Sequence, residues 1–495
     1  MIIAAAGCVI TALCGYYYFK ALFLCIGLGL GLAVIFLFKR KTHCFIVVLL
    51  ILLTALSGVF NFCKIRKITA AAKETVTVQV CALATTYKGG TVYKTDAEVL
   101  ECDRLPKGTK LSLWHNPMYL NAGDIYSCQI KLSRIDGAYK ELNFSNGIYL
   151  SGEIQKCKKL NRQDKVLSGV QSIRDYIKET LFQNMSYDSA ATVCALVFGE
   201  KGYFSDRFYN AVKASGVAHI MVVSGMHLSI TVSLLLKFTE KRMHNPLLRA
   251  TVIFLAVLAV CSVCGFTKSI LRAGVTYVIM GTAMLINRQY SGENALAGAV
   301  VMLLINSPLI ILNVGFQLSV LATFGILAVA LPICEYIKEK FNSKITVWAL
   351  QTVTVSLAAS LLTLPVIIKV YGYVSTVAVI TNLLITIPVT LCLSVSVATL
   401  ILNLLFPFAA SVVLHITDLV VRYINSVILF FGELPFSTCR TPEYMIFAAL
   451  GLIFAVFFIM LACKRRQDML KLKAINGKIS REGRAGRWRL SRKKN

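Results

Sequence analysis

Charge is scarce in this chain, and acid is scarcer still. Of 495 residues only 15% are charged, and Asp and Glu together number 24. A soluble domain carries about 25% charged residues and about 45–50% apolar ones, whereas here 57% are hydrophobic. That balance excludes an ordinary soluble protein. Other absences narrow the chemistry. The six histidines, at 43, 115, 219, 227, 244 and 415, never fall into a metal motif such as HxHxDH, so no two-metal hydrolase site is expected. No GxxxxGK[ST] phosphate loop occurs, which removes an ATPase of that type. The only CxxC, Cys261-Ser-Val-Cys264, lies in an apolar run with no second pair nearby, so neither zinc nor a redox dithiol is expected there. The chain therefore reads as a non-enzyme with no metal and no cofactor.

What is present is apolar sequence in runs of the length a helix needs to cross roughly 30 Å of hydrocarbon, about 17–25 residues. Examples are 21–38, 45–62, 250–266, 345–368 and 444–463. In lipid each backbone group must be paired within its own segment, so these runs are predicted to be helices. Three come first, at 2–19, 21–38 and 45–62; the first lacks a basic flank and a cleavage site and reads as a retained helix. Nine more follow, at about 217–236, 247–266, 269–287, 292–306, 311–333, 345–368, 376–402, 407–432 and 444–463. The basic loop Lys39-Arg40-Lys41 is expected to be cytoplasmic. The chain then emerges outside after residue 62, and nine further crossings return it to the inside. The tail 464–495, with 13 Lys and Arg against Asp468 and Glu482, fits that end. Loops 237–244 and 336–344 are basic and fall inside; 433–443 falls outside. The net charge of +28 is thus first a topology signal.

The stretch 64–160 differs. It alternates with period two, as in Thr75-Val-Thr-Val-Gln-Val-Cys-Ala-Leu, and is punctuated by turn signals at Lys88-Gly-Gly, Pro106-Lys-Gly, Asn121-Ala-Gly-Asp and Asp136-Gly. Strands are predicted near 74–86, 91–102, 109–115, 123–132 and 149–157. Five short strands suit a small OB-like barrel. The pattern thus predicts a polytopic α-helical membrane protein of about twelve helices with an inserted all-β OB-like domain. Its parts are 1–63, the first helices; 64–160, the β domain; 161–216, an amphipathic helical region; 217–463, the main helical domain; and 464–495, the basic tail. Cys81, Cys102, Cys128 and Cys157 lie in the β domain, as free thiols or as one or two disulfides. Cys128–Cys157 would join neighbouring late strands and Cys81–Cys102 the first hairpin; spacing does not choose. Within 162–186, Val166, Val170, Ile173, Ile177 and Leu181 share one helical face, suiting either the membrane interface or packing on the bundle.

Polar residues inside membrane helices are costly and often functional. The densest group is His219-Ile-Met-Val-Val-Ser-Gly-Met-His227, where Gly225 weakens the helix between His219, Ser224 and His227. Lys268, Arg272, Asn313, Gln317, Pro365, Asn382 and Pro388 continue the theme, with the prolines expected to end or break their helices. Three readings stand: a polar pathway lined by His219, Ser224, Gly225, His227, Lys268, Arg272, Gln317 and Asn382; a structural kink; or an intramembrane hydrolase using Ser224 and His227.

The stretch 195–230, ALVFGEKGYFSDRFYNAVKASGVAHIMVVSGMHLSI, resembles the central signature of the ComEC-type competence family. Gly199, Glu200, Lys201, Ser205, Gly216, His219, Ser224, Gly225 and His227 match it one by one. The blocks at 265–273, 313–327 and 363–384 resemble later blocks in the same order, and Lys268 departs from a frequent proline. The resemblance implies import of transforming DNA as a single strand across the bacterial cytoplasmic membrane, an outward OB-like domain that receives DNA, and a helical channel. Many members continue into a metallo-β-lactamase-like nuclease domain where this sequence has its basic tail, so second-strand degradation is expected from a separate protein. A DNA receptor and a cytoplasmic motor ATPase are further implied partners, with membrane lipid, and oligomeric state stays open. The region 64–179 holds 19 Lys and Arg against 12 Asp and Glu, and Tyr87, Tyr93, Trp114, Tyr119 and Tyr126 are candidate stacking platforms for DNA. A permease for another anionic or small substrate is the alternative.

Overall fold

The computed structural model describes residues 2–18, 41–88, 92–115, 120–137, 140–221, 225, 228–230, 232, 245–286, 288–456 and 458. The predicted span 21–38, most of 217–236, loop 237–244 and the tail 464–495 lie outside them. Helices α1 (Ile2–Tyr18) and α2 (Lys41–Ala70) pack along each other, with Ile51 seated over Gly7. At 30 residues α2 is about 45 Å long, more than the roughly 30 Å of a hydrocarbon layer. It therefore runs past the predicted end at 62, through Lys64, Arg66 and Lys67, and delivers the chain to the β region.

Strands β1 (Thr75–Lys88), β2 (Val92–Glu101), β3 (Lys110–His115), β4 (Asp124–Arg134) and β5 (Ile148–Gln163) form a closed barrel in the order β1-β2-β3-β5-β4. Only β3 and β5 pair in parallel. Alternate residues point inward: Val76, Val78, Val80 and Ala82 from β1, Leu111 and Leu113 from β3, Ile130 and Leu132 from β4. That period is the one legible in the sequence. A short helix, α3 (Lys140–Ser145), precedes β5 and sits on the 3-10 turn Pro308–Leu312, where Asn313 donates to Ser145 Oγ at 3.1 Å. Barrel core and helical core are thus one continuous apolar cluster through Phe316.

The helical part begins with α4 (Lys165–Asn184), capped by Asp164, whose carboxylate accepts from Val166 N and Leu167 N, a cap of about 1 kcal/mol. Of its predicted apolar face Ile177 and Leu181 are buried, while Val166 and Ile173 stay exposed. Next come α5 (Tyr187–Phe198), buried almost throughout, and α6 (Asp206–Ala214). Then follow α7 (Pro246–Val263), α8 (Lys268–Leu285), α9 (Gly292–Asn306), α10 (Val314–Gly325), α11 (Leu331–Lys340), α12 (Lys344–Tyr371), β6 (Tyr373–Ser375), α13 (Ala378–Leu405), α14 (Pro407–Gly432), β7 (Thr438–Arg440) and α15 (Met445–Val456). Among the described residues five helices are long and apolar enough to cross a membrane: Ile46–Ala70, Val314–Lys340, Lys344–Tyr371, Ala378–Ser396 and Phe408–Gly432.

Three expectations need correction. Pro365 and Pro388 do not end or break their helices; α12 and α13 run through both. Away from water an unwound segment leaves several polar groups unpaired, while a proline frees only one carbonyl, so the helix persists. The span predicted at 311–333 starts as a 3-10 turn and continues to Lys340, joined to α11 by a π turn at Ile326–Ala330 just before Pro332. The π turn absorbs the backbone donor that Pro332 lacks. Residues 217–221, predicted as the start of a span, are turns. Gly216 sets them with a left-handed φ of 75°, and its Cα faces Ala378 and Ser375 so closely that a Cβ would lie 2.5 Å from Ala378 Cβ.

Candidate functional site

The Gly-Glu-Lys turn is held by cations from α4. Helix α5 ends at Gly199 in the left-handed region, and Glu200 then accepts from Arg174 Nη2 at 2.6 Å and Lys178 Nζ at 2.8 Å. Both cations stand over the Phe198 ring. Cys264 Sγ, on the turn before α8, donates to Val197 O at 3.2 Å. Ser205 caps α6 by accepting from Phe208 N. Beneath, Asp418 of α14 is buried and accepts from Ser186 N at 3.2 Å, Ser186 Oγ and Arg422, fixing the start of α5. The turn 264–267 is thereby pinned to the signature segment.

From that turn α8 descends with Lys268 and Arg272 on one face, four residues apart. Arg272 is buried at 6% exposure. Its Nε donates to Ser319 Oγ at 3.0 Å, and Ser269 Oγ donates to the same oxygen at 2.9 Å. Neither Lys268 nor Arg272 has a carboxylate partner among the described residues. The guanidinium lies against Gly225, where a Cβ would come 2.8 Å from Nη2 and 3.3 Å from Ala273 Cβ. Above, Lys110 of β3 is within electrostatic range of Lys268. Lys268 and Arg272 thus stand one turn apart on α8, with Lys110 of the barrel in electrostatic range of the first. Of the three only Arg272 is buried, and a buried cation without a counter-ion is expensive.

The other predicted pathway residues scatter. His219 shares a hydrogen bond with Gly216 O at 3.1 Å within the turn and is exposed. Gln317 donates to Ile311 O at 2.6 Å, closing the 3-10 turn. Asn382 donates to Ser356 Oγ at 3.2 Å, and its own Oδ1 is buried without a partner among the described residues. Ser224 and His227 lie outside the described residues. Sequence reading overlooked Ser269 and Ser319, although the Ser269–Arg272 spacing on one helix face was there to find. Among the described residues no group of three His, Cys, Asp or Glu could hold a metal.

On the barrel, Tyr126 offers no platform: it is 2% exposed, and its hydroxyl bonds Asn121 N and Asp124. A tyrosine on an inward β4 position packs in the core, where the alternation places it. Trp114 is 41% exposed at the end of β3. Tyr87 and Tyr93 face each other across the β1–β2 hairpin, their side chains and Tyr119 lying outside the described residues. Asp124, 4% exposed in its side chain, binds Lys159 and Gln163. Burial alone would raise its carboxyl, but those hydrogen bonds hold it below the ordinary carboxylate range. Cys128 and Cys157 face each other on β4 and β5 and form a disulfide. Cys81 and Cys102 are free, because the hairpin register sets Cys81 opposite Glu98 and leaves Cys102 beyond the end of β2. Burial pushes the Cys81 thiol up to about 11.

Long apolar helices with a β-barrel docked on them define a helical membrane protein. The chain belongs to the competence protein family, whose model matches residues 196–466, more than half its length and all of the segments around Glu200, Gly225 and Arg272. It is 24% identical to ComE operon protein 3 of Bacillus subtilis (strain 168) over 247 residues, which is 50% of this chain and 30% of that one. The match thus spans under a third of that relative's length. No solved structure matches.

Proposed function

We propose that this chain is a component of a membrane channel that imports single-stranded DNA during competence, with the barrel as an external OB-like domain. The observation that carries the reading is the pair Lys268 and Arg272, which leads from beside Lys110 of the barrel to Gly225 inside the competence-family region with no carboxylate partner for either among the described residues. Unpaired cations draw a phosphate backbone and are matched by it. The strand order β1-β2-β3-β5-β4 in a closed five-stranded barrel supports the OB-like reading. Exposed Lys131, Lys156 and Lys158 on β4 and β5 supply a basic surface beside it. The Cys128–Cys157 disulfide suits an oxidising, extracytoplasmic compartment. The role assigned to these residues is conduction rather than bond chemistry.

The test is uptake of labelled DNA into a DNase-resistant state, in cells with the chain deleted and then restored. Loss and rescue support the channel. Arg272→Gln at normal membrane abundance should restore poorly. Unchanged uptake on deletion, in cells that demonstrably take up DNA, overturns the reading. A permease for a small anion is the second reading, favoured by Arg272 being a single deep cation; the purified chain would then bind the small anion and not an oligonucleotide.

A further inference from the structure

A second group of cations and rings lies apart from Arg272. The loop between α12 and α13 docks on the segment after α6: Ser375 Oγ donates to Ala214 O at 2.7 Å, and Gly216 abuts Ser375. This docking brings Tyr371 and Tyr373, ring centroids 6.1 Å apart, within electrostatic reach of Tyr209 on α6. Lys213 Nζ stands 3.9 Å from the Tyr209 ring centroid and Lys201 Nζ stands 6.0 Å from it. Arg440 of β7 is paired opposite Tyr373 and is exposed. Of the acids close in the chain, Glu200 is taken by Arg174 and Lys178 and Glu433 by Arg207, while Asp206 and Glu443 form no ion pair with these cations among the described residues. Lys201, Lys213 and Arg440 have no carboxylate partner among the described residues. Burial and the neighbouring Lys213 push the Lys201 ammonium down from its ordinary value, a cost that a bound anion would relieve.

We propose that Tyr209, Tyr371 and Tyr373, with Lys201, Lys213 and Arg440, form a platform that stacks bases and pairs phosphates of a single nucleic-acid strand. The inference rests on the DNA reading above and assigns a contact site within it. Rings interleaved with unpaired cations are what sequence-tolerant single-strand binding needs, because every base has a flat face and every nucleotide a phosphate. Interfacial tyrosines can instead anchor a helix among lipid headgroups. Here, however, the rings come from α6, the end of α12 and β6, Tyr371 and Tyr373 meet each other, and Tyr209 carries Lys213 and Lys201 over its ring, which suits a strand of bases and phosphates better than a perimeter belt.

The experiment uses the full chain in nanodiscs of zwitterionic lipid and a fluorescent oligothymidylate, with an abasic oligomer of equal charge as control. The wild type should prefer the oligothymidylate. Tyr373→Ala should weaken it about tenfold, Tyr373→Phe should retain binding, and neither should shift the melting temperature of the barrel. Lys201→Gln with Lys213→Gln should lower the salt slope by about 0.7 for each phosphate that is no longer paired. Wild-type binding that none of these variants changes overturns the platform and leaves the DNA reading standing; no wild-type binding at all removes both. If the variants lose anionic lipid retained in native mass spectra while oligonucleotide affinity holds, the patch is a headgroup site and the proposal fails.

Discussion

At the scale of single residues, Gly225 and Asp124 show how one side chain, or its lack, sets a local field. A Cβ at Gly225 would meet the far end of the Arg272 side chain at 2.8 Å and Ala273 Cβ at 3.3 Å, and no backbone. Gly225→Ala is therefore expected to fold, with a melting temperature within a few degrees of wild type, while displacing the guanidinium and cutting DNA uptake as deeply as Arg272→Gln. A Gly225→Ala protein that unfolds, or one that takes up DNA normally, would contradict the placement of Arg272 at a pathway. Asp124 works through linkage. Its folded carboxyl titrates below the unfolded one, so its contribution is fully present above the ordinary value of about 3.9 and is lost as pH falls through the lower folded value. Thermal unfolding of the chain between pH 7 and pH 3 should show the barrel transition weakening on the acid side. Asp124→Ala should cost about 1–3 kcal/mol at neutral pH and flatten that acid dependence.

At the scale of elements, legibility followed the strength of the periodic signal. The five strands announced themselves because inward and outward positions alternate, as Val76, Val78 and Val80 do against Thr75, Thr77 and Gln79. Helix α5 was not distinguished within its region, because a helix buried on nearly every side has no amphipathic stripe to read. Pro365 and Pro388 misled because breaker rules are drawn from water-exposed helices, where released backbone has an alternative partner. The start of α5 depends instead on a partner far along the chain: Asp418 takes both Ser186 donors and Arg422. No local pattern could reveal a contact across 232 positions. Asp418→Ala should leave these donors without their acceptor and destabilise the α5–α14 packing by about 1–3 kcal/mol, read as protease sensitivity of the Ser186 region in membranes. The exposed Arg207–Glu433 pair offers the contrast: Glu433→Gln should change stability by about 1 kcal/mol or less.

At the scale of the whole molecule, contacts between turns sort the ends of the helices in a way helix counting alone could not. The turn after α7 is tied to Val197, the turn before α10 to Ser145 of the barrel, the loop after α12 to Ala214, and the end of α14 to Arg207. Strands β6 and β7 join the last two directly. Every one of these turns therefore lies on the side of the barrel and the signature segment. If consecutive crossings alternate, Cys439 on β7 is expected in one compartment with Cys102 beside β2. Both thiols are accessible, Cys439 exposed and Cys102 partly so, while Cys81 is buried and held far from its thiolate. A membrane-impermeant maleimide added to intact cells, followed by peptide mapping, should label Cys439 and Cys102 together and spare Cys81. Cys128 and Cys157 should become reactive only after reduction. Labelling of Cys439 and Cys102 only after the cells are opened would put the barrel in the cytoplasm and end the case for a domain that meets DNA outside. Labelling of one without the other would mean that the turns do not share a side, and the path from Lys110 to Arg272 would have to be drawn again.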